Sequence, residues 1–328
     1  MADILVVETP AARGRLSHTM SNLKAQRVRS AWVFVAPALL VLALVAVWPL
    51  ARTIYFSFTN ASLGNIAETQ FIGFQNYYAW STLKSGRTIF RGLLADPVWW
   101  NAVWNTLKFT VISVICETIL GLVVALALNS QFPGRGIVRA AILVPWALPG
   151  VVSANMWKWM FNDQFGIVND MLLHLGVISH KIAWMADPDT MMPVVLIAAV
   201  WMGTPFTALL VLAALQTVPN DIYESAKIDG VHPLMVFWWI TLPLIRPALM
   251  VAVIFRILNA LRVFDLIYVM TPSSSETVTM SILTQQYLFD FDRFGYGCAA
   301  STVLFLILAC IAVVYIWVGR VNLGGEGR

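Results

Sequence analysis

A chain of 328 residues that is 59% hydrophobic and only 12% charged has about half the charge usual in a soluble domain, too little polar surface to cover a water-soluble fold. The net charge of +4 is spread along the chain and gives no nucleic-acid patch. Cys116, Cys298 and Cys310 lie in or beside apolar blocks, with neither metal spacing nor a disulfide framework, so no metal or cofactor is expected and the cysteines read as small buried side chains.

Uncharged blocks run through Val33–Ala51, Ala140–Trp157, Thr190–Asn220 and Phe294–Gly319, each long enough for a helix to cross a hydrocarbon core of about 30 Å. In chain order, a basic tail over 1–31 carries Arg13, Arg15, Lys24, Arg27 and Arg29 and leads into the first span, Trp32–Phe58. That apolar run is longer than a signal-peptide core and ends in Trp48-Pro49-Leu50 without a small-residue cleavage site, so it reads as an uncleaved span. Further spans follow at Val103–Asn129, Ile137–Phe161, Met191–Thr217, Ala248–Met270 and Cys298–Gly319. The expectation is an all-α integral membrane protein of six transmembrane helices, with one membrane domain over 32–320 and a tail at 321–328. Pro37, Pro49, Pro145, Pro149 and Pro205 fall inside spans and predict kinks or breaks, since each removes a backbone donor. Trp32, Trp48, Trp99, Trp100, Trp104, Trp157, Trp159 and Trp317 cluster at span edges, the pattern of an interfacial belt.

Of the 21 Lys and Arg, 11 fall in the tails and in the segments after the second and fourth spans, against five in the remaining loops. The positive-inside rule then puts both termini in the cytoplasm. It places segment 218–247 there too. That segment reads Pro219-Asn220-Asp221-Ile222-Tyr223-Glu224-Ser225-Ala226-Lys227-Ile228-Asp229-Gly230-Val231, a short helix with Asp221 as N-cap, Glu224 completing a capping box and Gly230 ending it in the left-handed conformation. Pro233 suits the first turn of a second short helix, running to Leu242-Pro243. Two helices joined by a tight turn make a rigid cytoplasmic knob, suited to being pushed by a soluble partner.

Glu224-Ser225-Ala226, Asp229-Gly230, Phe237, Leu242-Pro243 and Pro247 resemble the coupling loop of binding-protein-dependent ABC importers, with Ser225 replacing the usual second alanine. Phe71-Ile72-Gly73-Phe74-Gln75-Asn76-Tyr77, Trp100-Asn101-Ala102 with Asn105-Thr106-Leu107, and Val263 to Thr271 are similar to stretches of MalF- and UgpA-type sugar permeases. The likeness covers most of the chain, from about Trp32 to Trp317. It implies a type I importer (MetI-like) permease fold in the bacterial inner membrane. It also implies a MalG-like second permease, two copies of an ABC ATPase and a periplasmic or extracellular sugar-binding protein. Through it, Glu224, Ser225, Ala226, Asp229 and Gly230 become candidates for ATPase coupling. Pro272-Ser273-Ser274-Ser275 departs from the family's glycine-rich turn, which weakens any transfer of substrate identity.

Charged and polar side chains inside spans face protein or water. Arg262 and Asp265 are spaced to neutralise each other. Arg256 and Asn259, near the middle of the fifth span, are candidates to exchange hydrogen bonds with a sugar, Arg262 is a further candidate for the substrate pathway, and Asn155, Thr204 and Thr207 are weaker ones. Glu117 is expected to pair with a basic residue of another helix or subunit. The chain contains no Gly-Lys-Ser/Thr for nucleotide binding, so the resemblance points to a passive transport subunit for a disaccharide or similar glycoside. An ion-coupled secondary transporter and a membrane-embedded enzyme are the alternatives. The first would call for an inverted repeat and paired intramembrane acids, and for the second the four histidines have no ligand spacing.

Overall fold

The computed structural model describes residues 10–82, 88–272 and 274–319, and for 10–25 the backbone path alone. Expectations resting on the side chains of Arg13, Arg15 and Lys24, on Lys84, Arg87, Ser273 and Arg320, and on the 321–328 tail lie outside the described residues.

The chain divides into a unit ending at Tyr55 and a unit beginning at Phe56. In the first, the backbone is already helical at Pro10, so the 10–31 segment of the expected tail is part of α1 (Pro10–Leu42). A π-helical turn over Ala43–Val47 joins α1 to α2 (Trp48–Ser57), which carries the chain into the second unit. The turn has a cause in the sequence. Proline clashes with the carbonyl four residues back, and for Pro49 that carbonyl belongs to Val45, inside the widened turn. Phe237–Thr241 repeats the arrangement, with Trp239 four residues before Pro243. Both prolines are absorbed by an i→i+5 turn without a sharp kink.

In the second unit, a hairpin of β1 (Ala79–Thr82) and β2 (Thr88–Arg91) pairs Trp80 with Phe90, a feature the sequence reading did not contain. The Asn76 amide donates to the carbonyls of Ser57 and Thr59 at 2.9 and 2.8 Å, and the Tyr77 hydroxyl reaches Ser57. The family-like Phe71–Tyr77 stretch thus closes the exit of α2. Asp96 caps the long α3 (Pro97–Asn129), its carboxylate accepting from the Val98 amide, with Pro97 at the first helical position. Then come α4 (Arg135–Ala147), α5 (Gly150–Met160), α6 (Ile167–His174), α7 (Pro188–Leu215), α8 (Asn220–Ile228), α9 (Pro233–Val236), α10 (Leu242–Ala260), α11 (Asp265–Met270), α12 (Met280–Gln285) and α13 (Phe294–Gly319).

Among the described residues, five helical stretches are long and apolar enough to cross a membrane, or six if α4 and α5 are counted as one broken span. The expected third span is therefore not one rod. Its halves meet at 92°, with Leu148 and Pro149 both extended, because a residue before proline is driven out of the helical region and proline itself donates no hydrogen bond. The expected second short helix is also corrected. It does not stop at Leu242-Pro243 but runs through the π turn into α10.

The packing centre is the contact of α3 with α7. Glu117 lies against Gly203, and Gly121 lies against Thr207; the paired positions advance together, so the two helices run parallel. Small residues at the crossings let the backbones approach. Trp99 belongs to this core with no exposed surface, and is not the interfacial anchor its position suggested, whereas Trp48, Trp159 and Trp317 are exposed. Cys298 is buried, Cys116 half-buried and Cys310 exposed.

At the end where α3 begins, the Asn101 and Asn105 amides both donate to the Ser275 carbonyl, at 2.8 and 2.9 Å, and Thr106 accepts from the Met280 amide. Ser275, at the end of the atypical stretch, is thereby strapped to α3. Burial, followed by the Asp96 carboxylate that its hydroxyl contacts at 2.7 Å, pushes the Tyr287 hydroxyl pKa well above the ordinary tyrosine range. Nearby Asp292 sits at φ +50°, alone among described non-glycine residues in having positive φ. Its carboxylate accepts from the Ser62 hydroxyl at 2.7 Å and from the Leu63 amide at 2.8 Å. These bonds, Ser62 first, hold its pKa below the usual carboxylate range. A depressed folded pKa means that the clasp is fully present above the unfolded value and is lost as pH falls through the folded one. Protection of the Leu63 and Gly64 amides, taken relative to their intrinsic exchange rates at each pH, should accordingly fall in acid in the wild type. In Asp292→Ala, which removes the acceptor, protection should be lost already at neutral pH; a protected Leu63 amide in that variant would show that the carboxylate does not hold the loop.

Candidate functional site

Two sites result, one inside the bundle and one at its end. The first is a cavity of about 360 Å3 between α3, α7, α10 and the stretch linking α10 to α11. Glu117 comes to it from α3 and is completely buried. Arg256 comes from α10, which runs back against α3, and meets Glu117 with two nitrogens: Nε on Oε2, and Nη2 on Oε1 at 2.7 Å. This fork-to-fork geometry is the strongest kind of charge-assisted pairing, so Glu117 does have its basic partner, on a neighbouring helix of the same chain. Gly203 makes room for the pair. A Cβ there would collide with Glu117 Oε1 and Arg256 Nη2.

Arg256 is therefore engaged with Glu117, not held free as a donor for solute. Asn259 and Arg262 do line the cavity, each with one group turned back on its own helix: Asn259 Nδ2 on the Phe255 carbonyl at 3.0 Å, Arg262 Nε on the Leu258 carbonyl at 3.1 Å. The expected Arg262–Asp265 pair is absent among the described residues. The helix ends at Ala260 and restarts at Asp265, so the two are not on successive turns of one helix, and Asp265 instead lies against Gly150 at the start of α5. Asn155 and Thr204 are outside the cavity. Their polar groups bond the carbonyls one turn back, at Val151 and Val200, and Thr204 faces an apolar crevice. Thr207 is buried against Gly121. Sequence reasoning missed the cavity's aromatic walls, Phe109, Trp146 and Phe264. Trp146, in the last turn of α4, stacks on Phe206 with ring centroids 5.9 Å apart.

The second site is α8 with the turn that follows. The helix begins at Asn220 with Pro219 as N-cap and no side-chain cap, which corrects the capping box: Asp221 lies inside the first turn, where its charge still favours the helix N-terminus. The other end is closed as the sequence indicated. Gly230 has φ +69°, its amide donates to the Lys227 carbonyl, and the Val231 amide donates to the Ala226 carbonyl at 3.0 Å. These are the paired bonds of a Schellman turn. His232 then caps α9, its ring accepting from the Leu234 amide, and α9 leads without a break into α10. Ala226 is buried, while Glu224, Ser225, Asp229 and Gly230 are exposed. One closed turn thus joins α8 to the helical stretch that carries Arg256 and Asn259.

The model of the family described as "Binding-protein-dependent transport system inner membrane component" matches residues 117–323. The chain belongs to this family. The permease is 37% identical to the trehalose/maltose transport system permease protein MalF of Thermococcus litoralis, over 92% of this chain and 97% of that one. It is 36% identical to the sulfoquinovosyl glycerol transport system permease protein SmoG of Agrobacterium fabrum, over 88% and 89%. The trehalose transport system permease protein SugA of Mycobacterium tuberculosis is 34% identical over 98% of both chains. In fold, the permease superposes on a bacterial ABC transporter that imports the acidic polysaccharide alginate, with TM-score 0.73 and 20% identity over 94% of this chain and all of that one. A second structure of an alginate transporter, with an alginate-loaded periplasmic protein bound, gives 0.74 at 19% identity over 92% and 98%. This chain is accordingly a multi-pass membrane component of a transport system, and it has the importer permease fold that its motifs implied.

Proposed function

We propose that this permease carries a sugar of disaccharide size across a bacterial inner membrane, as one of two membrane subunits driven by a separate ATPase. The observation that supports it most is the closed turn at Gly230, which makes α8 a firm handle on α10. Glu224, Ser225, Asp229 and Gly230 form the face that meets the ATPase, with Ala226 packed beneath it. Both termini and α8 then lie in the cytoplasm, in keeping with the distribution of Lys and Arg. A MalG-like second permease completes the pathway, two ATPase copies power it, and a sugar-binding protein delivers cargo to the opposite face. The cavity volume falls within the range of about 300–1,000 Å3 common for small-molecule sites, and its mixture of aromatic walls with Asn259 and Arg262 suits a polyol.

The test is to isolate the permease from its native membrane and to measure uptake in proteoliposomes. The reading expects an ATPase to come away with it and sugar uptake to require ATP hydrolysis. Asn259→Ala and Arg262→Ala should each lower the apparent affinity for cargo about ten-fold, the worth of one hydrogen bond to a charged or well-placed group, without changing ATPase association. Uptake driven by a proton or sodium gradient, with no ATPase bound, would favour the ion-coupled alternative instead.

A further inference from the structure

We infer that the cavity selects an uncharged solute, because the charges that line it cancel. The inference rests on the sugar-import reading above and adds to it the electrical class of the cargo.

Among the described residues lining the cavity, the charged ones are Glu117, Arg256, Arg262 and Asp265, two of each sign. The balance is not an accident of loose side chains. Glu117 has no exposed surface and Arg256 is 15% exposed, and the two are joined at both ends of the fork. For Arg256 to turn toward an anionic solute, Glu117 would be left buried and unpaired, which is strongly unfavourable. Gly203 leaves no slack behind them. Arg262 places its Nε on the Leu258 carbonyl, and the Asp265 carboxylate lies against Gly150, both with surface open to the cavity. A solute in this cavity thus meets an amide at Asn259, the balanced charges of Arg262 and Asp265, and aromatic faces, with no surplus charge of either sign. A neutral polyol exchanges its water for these groups. An anion or a cation gains no net counter-charge for the hydration it gives up.

The test reads cargo choice on the membrane subunits alone, in the assembled transporter in nanodiscs without its binding protein. Saturation-transfer NMR is recorded with two probes at equal millimolar concentration: trehalose, and a disaccharide containing one glucuronic acid. The wild type is expected to favour trehalose by about ten-fold or more, the order of effect of one uncompensated charge in a partly screened site. Asp265→Asn leaves the cavity with one excess positive charge without touching the buried pair, and should raise the uronate signal about ten-fold. Glu117→Gln should do the same where it assembles. The double variant Glu117→Gln/Arg256→Gln restores neutrality and should return the wild-type preference. The inference is overturned if the wild type favours the uronate, if Asp265→Asn leaves the preference unchanged, or if the double variant assembles and behaves as the single one does. It is overturned too if neither probe gives a signal while ATP-driven trehalose uptake proceeds, an outcome that leaves the import reading standing. Loss of the import reading would appear separately, as absence of ATP-driven uptake of any sugar.

Discussion

Gly230→Val should reduce sugar uptake at least ten-fold while leaving the amount of permease in the membrane close to wild type. The residue closes α8 at φ +69°, a region where a β-branched side chain is a genuine outlier and where even ordinary L-residues lose about 1–2 kcal/mol. A Cβ at this position meets nothing within 4 Å, so the penalty is one of backbone conformation and not of crowding. That distinction makes a graded series informative. Gly230→Asn, which tolerates the left-handed region, should keep uptake within about two-fold of wild type, with Gly230→Ala between. Initial uptake rates normalised to membrane abundance decide the matter. If valine transports as well as glycine, the Schellman turn is not what joins α8 to α10 mechanically, and the coupling role proposed for Glu224 to Gly230 loses its support.

The second large effect is on stability. Glu117→Ala leaves the Arg256 guanidinium buried opposite nothing, and removing one member of such a pair costs about 3–5 kcal/mol. Arg256→Ala should cost a similar amount. Replacing both, as Glu117→Met with Arg256→Met, should recover most of the loss, because two apolar side chains of similar volume remove the desolvation penalty along with the attraction. Gly203→Val should be as damaging as the single charge deletions, since its side chain occupies the space of the Glu117 carboxylate. Thermal unfolding of the detergent-solubilised transporter measures all four. A Glu117→Ala protein as stable as wild type would mean that the pair contributes nothing, and recovery by the double variant would show that the loss in the single variants comes from the charge left without its partner.

The contrast between the two sites shows what a linear sequence conveys. The Gly230 turn was legible because all of its determinants lie within about a dozen residues: a helix-forming stretch, a glycine that alone adopts the required φ without cost, and Pro233 to start the next helix. Its one misreading, Asp221 as a cap, arose because Pro219 and Asn220 before it already form the helix start. The membrane class and the approximate position of the spans were legible for the same reason, since hydropathy is local. The break at Pro149 was half legible; proline signals a fault, but whether a helix kinks by a few degrees or turns by 92° depends on what receives the second half.

The cavity was beyond reach of such reading. Glu117 and Arg256 are 139 positions apart, and Arg262 and Asp265, which look like a pair by spacing, part company because the helix between them ends. Composition and local pattern determined that this chain spans a membrane, roughly where its apolar spans lie, and that it carries a glycine-closed helix after its fourth span. Only the tertiary structure decided which charges meet. The energy of an ion pair depends on separation in space and on burial, and both are set by the crossing of α3, α7 and α10 at Gly203, which no single segment encodes.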